Sequence, residues 1–220
     1  MIDISNKKLI IFDMDGLFID SESVYAIGWE RALRHYHIQV SENFVSSLKG
    51  QGAKDNDQAI FKICKDKSLV KKIRQYRTDY FWQEVKNGNV KLNYFALEIS
   101  NLLRNKGFGL ALASSSFIEV VDSLLESQNL LNYFDYKVTG SDVSFVKPDP
   151  AIYNKTLEIA KCLPSEALAF EDSLYGVMAA NAASVDVCHI GEANENVKKF
   201  SFASYTNLKD AYYSIFDNKK

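Results

Sequence analysis

An α/β fold built on a doubly wound parallel sheet, with a block of helices inserted near its start, is what this 220-residue sequence predicts. Three observations carry the prediction. Leu9-Ile10-Ile11-Phe12 is an unbroken apolar run ending in Asp13, the pattern of a strand buried on both faces of a parallel sheet. The second half alternates short apolar runs with helical patterns, the rhythm of parallel strands joined by right-handed crossovers. Between the two, residues 21 to 87 carry helical patterns and no convincing alternating strand.

Met1 to Lys8 is a polar lead-in and Leu9 to Asp13 the first strand. Ser21 is a candidate helix cap, with Val24, Ile27, Ala32 and Leu33 giving an apolar stripe through Tyr36. Helical patterns follow at Glu42 to Leu48, Asp55 to Cys64 and Leu69 to Val85, which makes a four-helix insert. Lys86-Asn87-Gly88-Asn89 reads as the return linker, so the expected division is 1–19 with 88–220 for the α/β core and 20–87 for the insert. A helix from Tyr94 to Asn105 is stopped by Gly107. Phe108 to Ala113 is the second strand, Ile118 to Ser127 a helix, and Phe134 to Thr139 the third strand. Helix Ala151 to Ala160 leads to a fourth strand, Ala167 to Phe170. Ser173 caps the next helix, through Ala183, before a fifth strand, Val185 to Ile190, and a last helix, Leu208 to Phe216.

Composition excludes several classes of function. Apolar residues make up 47% and charged residues 25%, near globular averages. A net charge of −2 gives no field for holding nucleic acid or an anionic membrane, so a phosphate site has to be a local device. Cys64, Cys162 and Cys188 are odd in number and widely spaced, which argues against a disulfide framework or a zinc site. With neither a secretory segment nor a run of about 20 apolar residues, a cytoplasmic protein is expected; a monomer is expected as well.

The end of the first strand holds the chemistry. Asp13 closes the strand, Asp15 lies on the exiting loop, and Gly16 lets the backbone turn close to a ligand. In open α/β sheets, ligands bind outside the carboxyl ends of the strands. One carboxylate there suits attack on phosphorus, and the other suits proton delivery to the leaving oxygen. Both repel an incoming phosphate, so the scheme calls for a hard divalent cation and added positive charge.

Asp13-Met14-Asp15-Gly16 followed by Asp20-Ser21 resembles the first motif of the haloacid dehalogenase superfamily, in the β-phosphoglucomutase-like branch whose helical cap follows that motif. The resemblance implies a Rossmann-like core with a four-helix cap. Three later segments match the superfamily's other motifs in order. Ser114 after the second strand resembles the phosphate-binding second motif, with Ser115 and Ser116 offering amides at a helix start. Lys147 before Pro148-Asp149-Pro150 resembles the third, where an ammonium neutralises the transferring phosphoryl group. Glu171-Asp172-Ser173 with Gly176, Val177 and the alanines at 179, 180, 182 and 183 resembles the fourth, whose carboxylates suit Mg2+. Ser184 stands where relatives commonly carry glycine, and a local change of turn is expected there.

The implied site therefore has Asp13, Asp15 and Lys147 as catalytic residues. Asp13, Asp15, Glu171 and Asp172 would surround Mg2+, and Gly16, Ser114, Ser115, Ser116 and Lys147 the phosphoryl group. Cap residues Tyr25, Lys49, Gln51, Lys54 and Arg77 are candidates for reading the rest of the substrate. Lys71, Lys72, Arg74 and Arg77 otherwise read as a solvated face. Trp29, Trp82 and the tyrosines of the insert read as cap core, and His189 as a packed strand residue.

The resemblance implies a Mg2+-dependent phosphomonoesterase acting on a small phosphorylated metabolite such as a sugar phosphate. A β-phosphoglucomutase is the alternative. It would carry a histidine where Tyr25 stands, and a cap-loop arginine after Lys49-Gly50 where Ala53 stands. A silent phospho-ligand-binding regulator is the third reading, against which every motif residue is present.

Overall fold

A computed structural model describes residues 3–48 and 52–217. Strand β1 (Leu9–Phe12) is followed by α1 (Ser21–His35), α2 (Glu42–Ser47), α3 (Ala53–Cys64), α4 (Lys67–Lys86) and α5 (Ala96–Asn105). Then come β2 (Gly109–Ala113), α6 (Ile118–Ser127), β3 (Tyr136–Val138), α7 (Ala151–Ala160) and β4 (Ala167–Glu171). The chain continues through α8 (Leu174–Ala182), β5 (Asp186–Ile190), α9 (Glu195–Phe200), β6 (Ala203–Tyr205) and α10 (Leu208–Phe216). It divides into two compact units, Met1–Ile19 with Leu92–Lys220 and Asp20–Lys91. The return falls after Lys91 rather than at Gly88, because the Asp20 N–H still bonds the Lys91 carbonyl at 2.9 Å.

The first unit is a doubly wound, Rossmann-like sheet in the order β3-β2-β1-β4-β5-β6, with all neighbouring strands parallel. The chain winds outward from β1 through β2 and β3, then crosses back to continue through β4, β5 and β6. The β1–β4 junction is thus the switch point of the topology, where α/β sheets place their ligands. Register fixes what meets there. Phe12 pairs with Leu112 and with Phe170, so Asp13 lies level with Ala113 on one side and Glu171 on the other.

The apolar runs of the strands explain the burial. Every residue of β1 and β4 is buried, as a strand with helices on both faces requires. Side chains alternate across the sheet. Ile11, Ala113, Val138, Ala169 and Val187 join Tyr153 and Val177 in one cluster. Phe12 packs instead with Phe18, Phe134 and Phe170, with ring centroids 5.6–6.4 Å from its own. Burying a ring of this kind contributes about 2 to 3 kcal/mol.

The second unit is all helical. Trp29, Ala32 and Leu33 of α1 form its core with Leu48, Ile60, Val70 and Ile73. Asp20 rather than Ser21 caps α1, its carboxylate accepting from the Ser23 N–H, and Ser21 becomes the first helical residue. Trp82 is 37% exposed, so it does not belong to this core. Arg77 does not join a solvated face: its guanidinium lies 4.5 Å from the Tyr25 ring centroid and 4.7 Å from that of Trp29. Burial there lowers its pKa. Gly28 makes room for the Arg77 stem, since a Cβ at that position would stand 3.0 Å from Arg77 Cγ.

Two elements have no counterpart in the sequence reading, α9 and β6. The latter is three residues long and only half-buried, so Ala203-Ser204-Tyr205 carries little apolar signal. Helix α5 starts at Ala96 rather than Tyr94, because Phe95 takes a left-handed φ of +69° before it. Among the described residues, no helix is long and apolar enough to cross a membrane.

Candidate active site

Asp13 is presented by the end of β1, where its N–H bonds the Phe170 carbonyl of β4 at 3.1 Å. Its carboxylate is buried and shares the Lys147 ammonium with Glu171, at 2.5 Å and 2.6 Å respectively. The same ammonium donates to the Ala113 carbonyl at 2.8 Å, and its side chain is only 5% exposed. Lys147 thus reaches across from the loop after β3 to the ends of β2, β1 and β4. A cis peptide joins it to Pro148.

Glu171 is fully buried. Its Oε1 accepts from Lys147 and from the Tyr153 hydroxyl of α7, while Oε2 is buried with no hydrogen-bond partner among the described residues. Asp13, Glu171 and Asp172 each offer a carboxylate oxygen within 4.8 Å of the others. Three acids at that spacing are a hard oxygen donor set, of the kind that holds Mg2+ together with waters and a phosphate oxygen. Behind Asp172, His189 Nε2–H donates to its carbonyl at 3.0 Å, which makes Nε2 the protonated nitrogen. Burial lowers the pKa of that imidazole.

Asp15 faces a different partner. Its Oδ2 accepts from the Ser114 hydroxyl at 3.2 Å and the Ser116 hydroxyl at 2.8 Å, and its carboxylate is not part of the three-acid group. Gly16, with φ +87°, makes the turn that was expected of it, and its carbonyl accepts from the Asn93 side chain. Ser114 is fully buried, whereas Ser115 is exposed. The Ser116 N–H is not aimed outward as the sequence suggested: it donates to Ser114 Oγ at 3.0 Å. Helix α6 starts two residues later, and the Ile118 N–H is taken by Ser141 Oγ at 3.0 Å. Gly140 lets the loop after β3 close on this turn, since a Cβ there would lie 2.4 Å from the Ser115 carbonyl oxygen.

The electrostatics are those of buried acids gathered round a shared ammonium. The Asp13 carboxyl is pushed up to about 8: burial raises it most, Lys147 pulls it back, and the Glu171 and Asp15 charges add to the rise. Burial opposes the charge on Lys147, but the Asp13 and Glu171 carboxylates outweigh it and raise the lysine above its ordinary value. Two buried carboxylates thus share one ammonium. A divalent cation at the Asp13–Glu171–Asp172 group would restore the balance and hold Asp13 ionised.

Residues 10–190 match the model of the haloacid dehalogenase-like hydrolase family. The chain belongs to that family. Among its relatives is a phosphorylated carbohydrates phosphatase of Thermotoga maritima, 29% identical, with 81% of this chain and 82% of the relative aligned. A phosphoglycolate phosphatase of Aquifex aeolicus is 30% identical over 76% of each chain. The fold is shared with a β-phosphoglucomutase from Clostridium difficile, at a TM-score of 0.73 and 18% identity, covering 92% of each chain.

The haloacid dehalogenase-like core therefore brings together Asp13, Lys147, Glu171 and Asp172, with Asp15 held by Ser114 and Ser116. Tyr25 and Lys54 lie in the helical unit, Tyr25 stacked on Phe81 with 4.4 Å between ring centroids and Lys54 exposed. Lys49 and Gln51 fall outside the described residues. Sequence reasoning missed Tyr153, His189 as a partner of Asp172, and Gly140. Tyr153 had a signal: with Ile152, Thr156 and Leu157 it marks the buried face of α7, and a buried tyrosine hydroxyl requires a partner.

Proposed function

We propose that the protein is a Mg2+-dependent phosphomonoesterase that hydrolyses a small phosphorylated metabolite, a sugar phosphate by preference, through an aspartyl-phosphate. The observation that carries this reading is the buried Lys147 ammonium shared by Asp13 and Glu171 beside Asp172. Such a group would supply a nucleophile, a cation and a hard-metal donor set together at the switch point of the sheet, which supports the reading.

In the first step an Asp13 carboxylate oxygen attacks phosphorus as the bond to the leaving alcohol oxygen breaks, and protonated Asp15 gives that oxygen its proton. In the second, Asp15 takes a proton from water, whose oxygen attacks phosphorus and releases Asp13. Lys147 holds the attacking carboxylate and neutralises charge on the transferring group. The Ser114 hydroxyl, which donates to Asp15 in the free protein, turns to a phosphoryl oxygen when substrate arrives. Asp13, Asp172 and Glu171 would hold the Mg2+, which when bound offsets negative charge on the phosphoryl oxygens. The helical unit acts as the cap that selects the alcohol, with Tyr25, Lys49, Gln51, Lys54 and Arg77 as its reading residues.

The relatives named for phosphorylated-carbohydrate and phosphoglycolate phosphatase activity support hydrolysis over phosphoryl return to the sugar. The test is release of phosphate from a generic aryl phosphate with and without Mg2+. Turnover that needs both Mg2+ and Asp13 supports the reading. Equal turnover by an Asp13→Asn variant removes it.

A further inference from the structure

We propose that Tyr153 is a positioning residue for the reaction, acting through Glu171 on the cation site and on Lys147. The inference rests on the phosphatase reading above. Tyr153 is the largest fully buried side chain of the described residues, and its hydroxyl donates to Glu171 Oε1. That oxygen also accepts the Lys147 ammonium at 2.6 Å, and the ammonium lies 5.5 Å from the Tyr153 ring centroid. The ring therefore closes one side of the space in which the ion pair sits.

Glu171 has no other described hydrogen bond to fix it. Its Oε2 is buried without a partner and stands against α8, where the position of a Gly176 Cβ would be 1.9 Å away. A carboxylate with two donors on one oxygen and a helix backbone behind the other has a single orientation. With the Tyr153 hydroxyl removed, one donor and its direction are lost, and the carboxylate has rotational freedom about the remaining lysine contact. Lys147 then holds Asp13 less firmly, and the three acids lose their common arrangement. A group that orients a ligand carboxylate from behind typically contributes 10- to 100-fold in metal affinity or activity.

The Tyr153→Phe variant keeps the ring and its packing, so it isolates the hydroxyl. Calorimetric titration with MgCl2, in the absence of substrate, should show affinity weakened about tenfold. Aryl phosphate turnover should lose about tenfold in kcat, with KM changed less than threefold. On a Glu171→Ala background the same substitution should have no further effect, because the acceptor is gone. In the intact protein labelled at the tyrosine ζ-carbon, the Tyr153 resonance should shift on addition of MgCl2, a readout independent of any variant's folding. Unchanged Mg2+ affinity and unchanged kcat in Tyr153→Phe would overturn the inference, as would additive losses on the Glu171→Ala background or a Tyr153 resonance blind to Mg2+. A wild-type protein that binds no Mg2+ and releases no phosphate would instead remove the phosphatase reading itself.

Discussion

Gly176 has no side chain because Glu171 occupies the place where one would stand: a Cβ there would meet Glu171 Oε2 at 1.9 Å. Helix α8 is held against the end of β4 at this point by Ser173, which caps it by accepting from the Gly176 N–H at 3.0 Å. The atoms such a Cβ would meet all belong to the Glu171 carboxyl, which is fully buried. Gly176→Ala should therefore destabilise the protein by about 1 to 3 kcal/mol in urea unfolding and displace the carboxylate from Lys147. On a Glu171→Ala background the same substitution should be close to neutral. Equal costs on both backgrounds would show that the clash lies elsewhere.

Lys147 forms ion pairs with both Asp13 and Glu171, and both of these partners are buried. Lys147→Met leaves Asp13 and Glu171 facing each other without it. Removing one partner of a buried ion pair costs about 3 to 5 kcal/mol, and loss of the electrostatic contact should lower kcat by about 10² to 10³. Lys147→Arg should not restore activity, because a planar fork does not fit the space of a point charge. Denaturant unfolding and aryl phosphate kinetics check the two halves separately.

Asp13 gives a pH dependence whose sign is fixed. Without a cation its pKa in the fold is about 8, against 3.8 for the ordinary carboxyl. Between those values the folded state keeps a proton that the unfolded chain has released. Stability of the cation-free protein should therefore fall as pH rises from about 4 toward 8 and level off above it. Mg2+ binding should displace that proton, so affinity should strengthen with pH up to about 8. Asp13→Asn should remove this component of the slope. Unfolding free energies in EDTA at several pH values, with and without the substitution, measure it.

Ser184 occupies the turn after α8 with φ +60°, a left-handed conformation that glycine adopts without a Cβ penalty. A serine in place of glycine predicts a changed turn here, and the structure instead has serine in the left-handed turn itself. Ser184→Gly should raise stability by about 0.5 to 1 kcal/mol with kcat unchanged. A loss of stability would mean that the serine makes a compensating contact.

The legibility of this chain in its sequence follows the strength of each physical signal. β1, β2 and β4 were plain because strands buried on both faces must be continuously apolar, and the residues that end them are polar for a reason. Asp13, Lys147, Glu171 and Asp172 were legible as residue types at strand ends. That Lys147 would bridge Asp13 and Glu171 depends on register, which Phe12 sets by pairing with both Leu112 and Phe170. Tyr153 and Gly140 were not seen as functional because their roles arise from contacts between elements far apart in sequence. Arg77 was misread because helical charge spacing does not reveal that Gly28 opens a slot for its stem beside Tyr25 and Trp29. β6 escaped because three half-buried residues carry too short a pattern.

The most direct test of covalent phosphoryl transfer is acid quenching of a millisecond single turnover with phosphate-labelled substrate and Mg2+, followed by peptide mapping. Label on the peptide holding Asp13, appearing before free phosphate and absent from Asp13→Asn, is the predicted result. Free phosphate formed with no label ever on Asp13, or label carried by another residue, would contradict it.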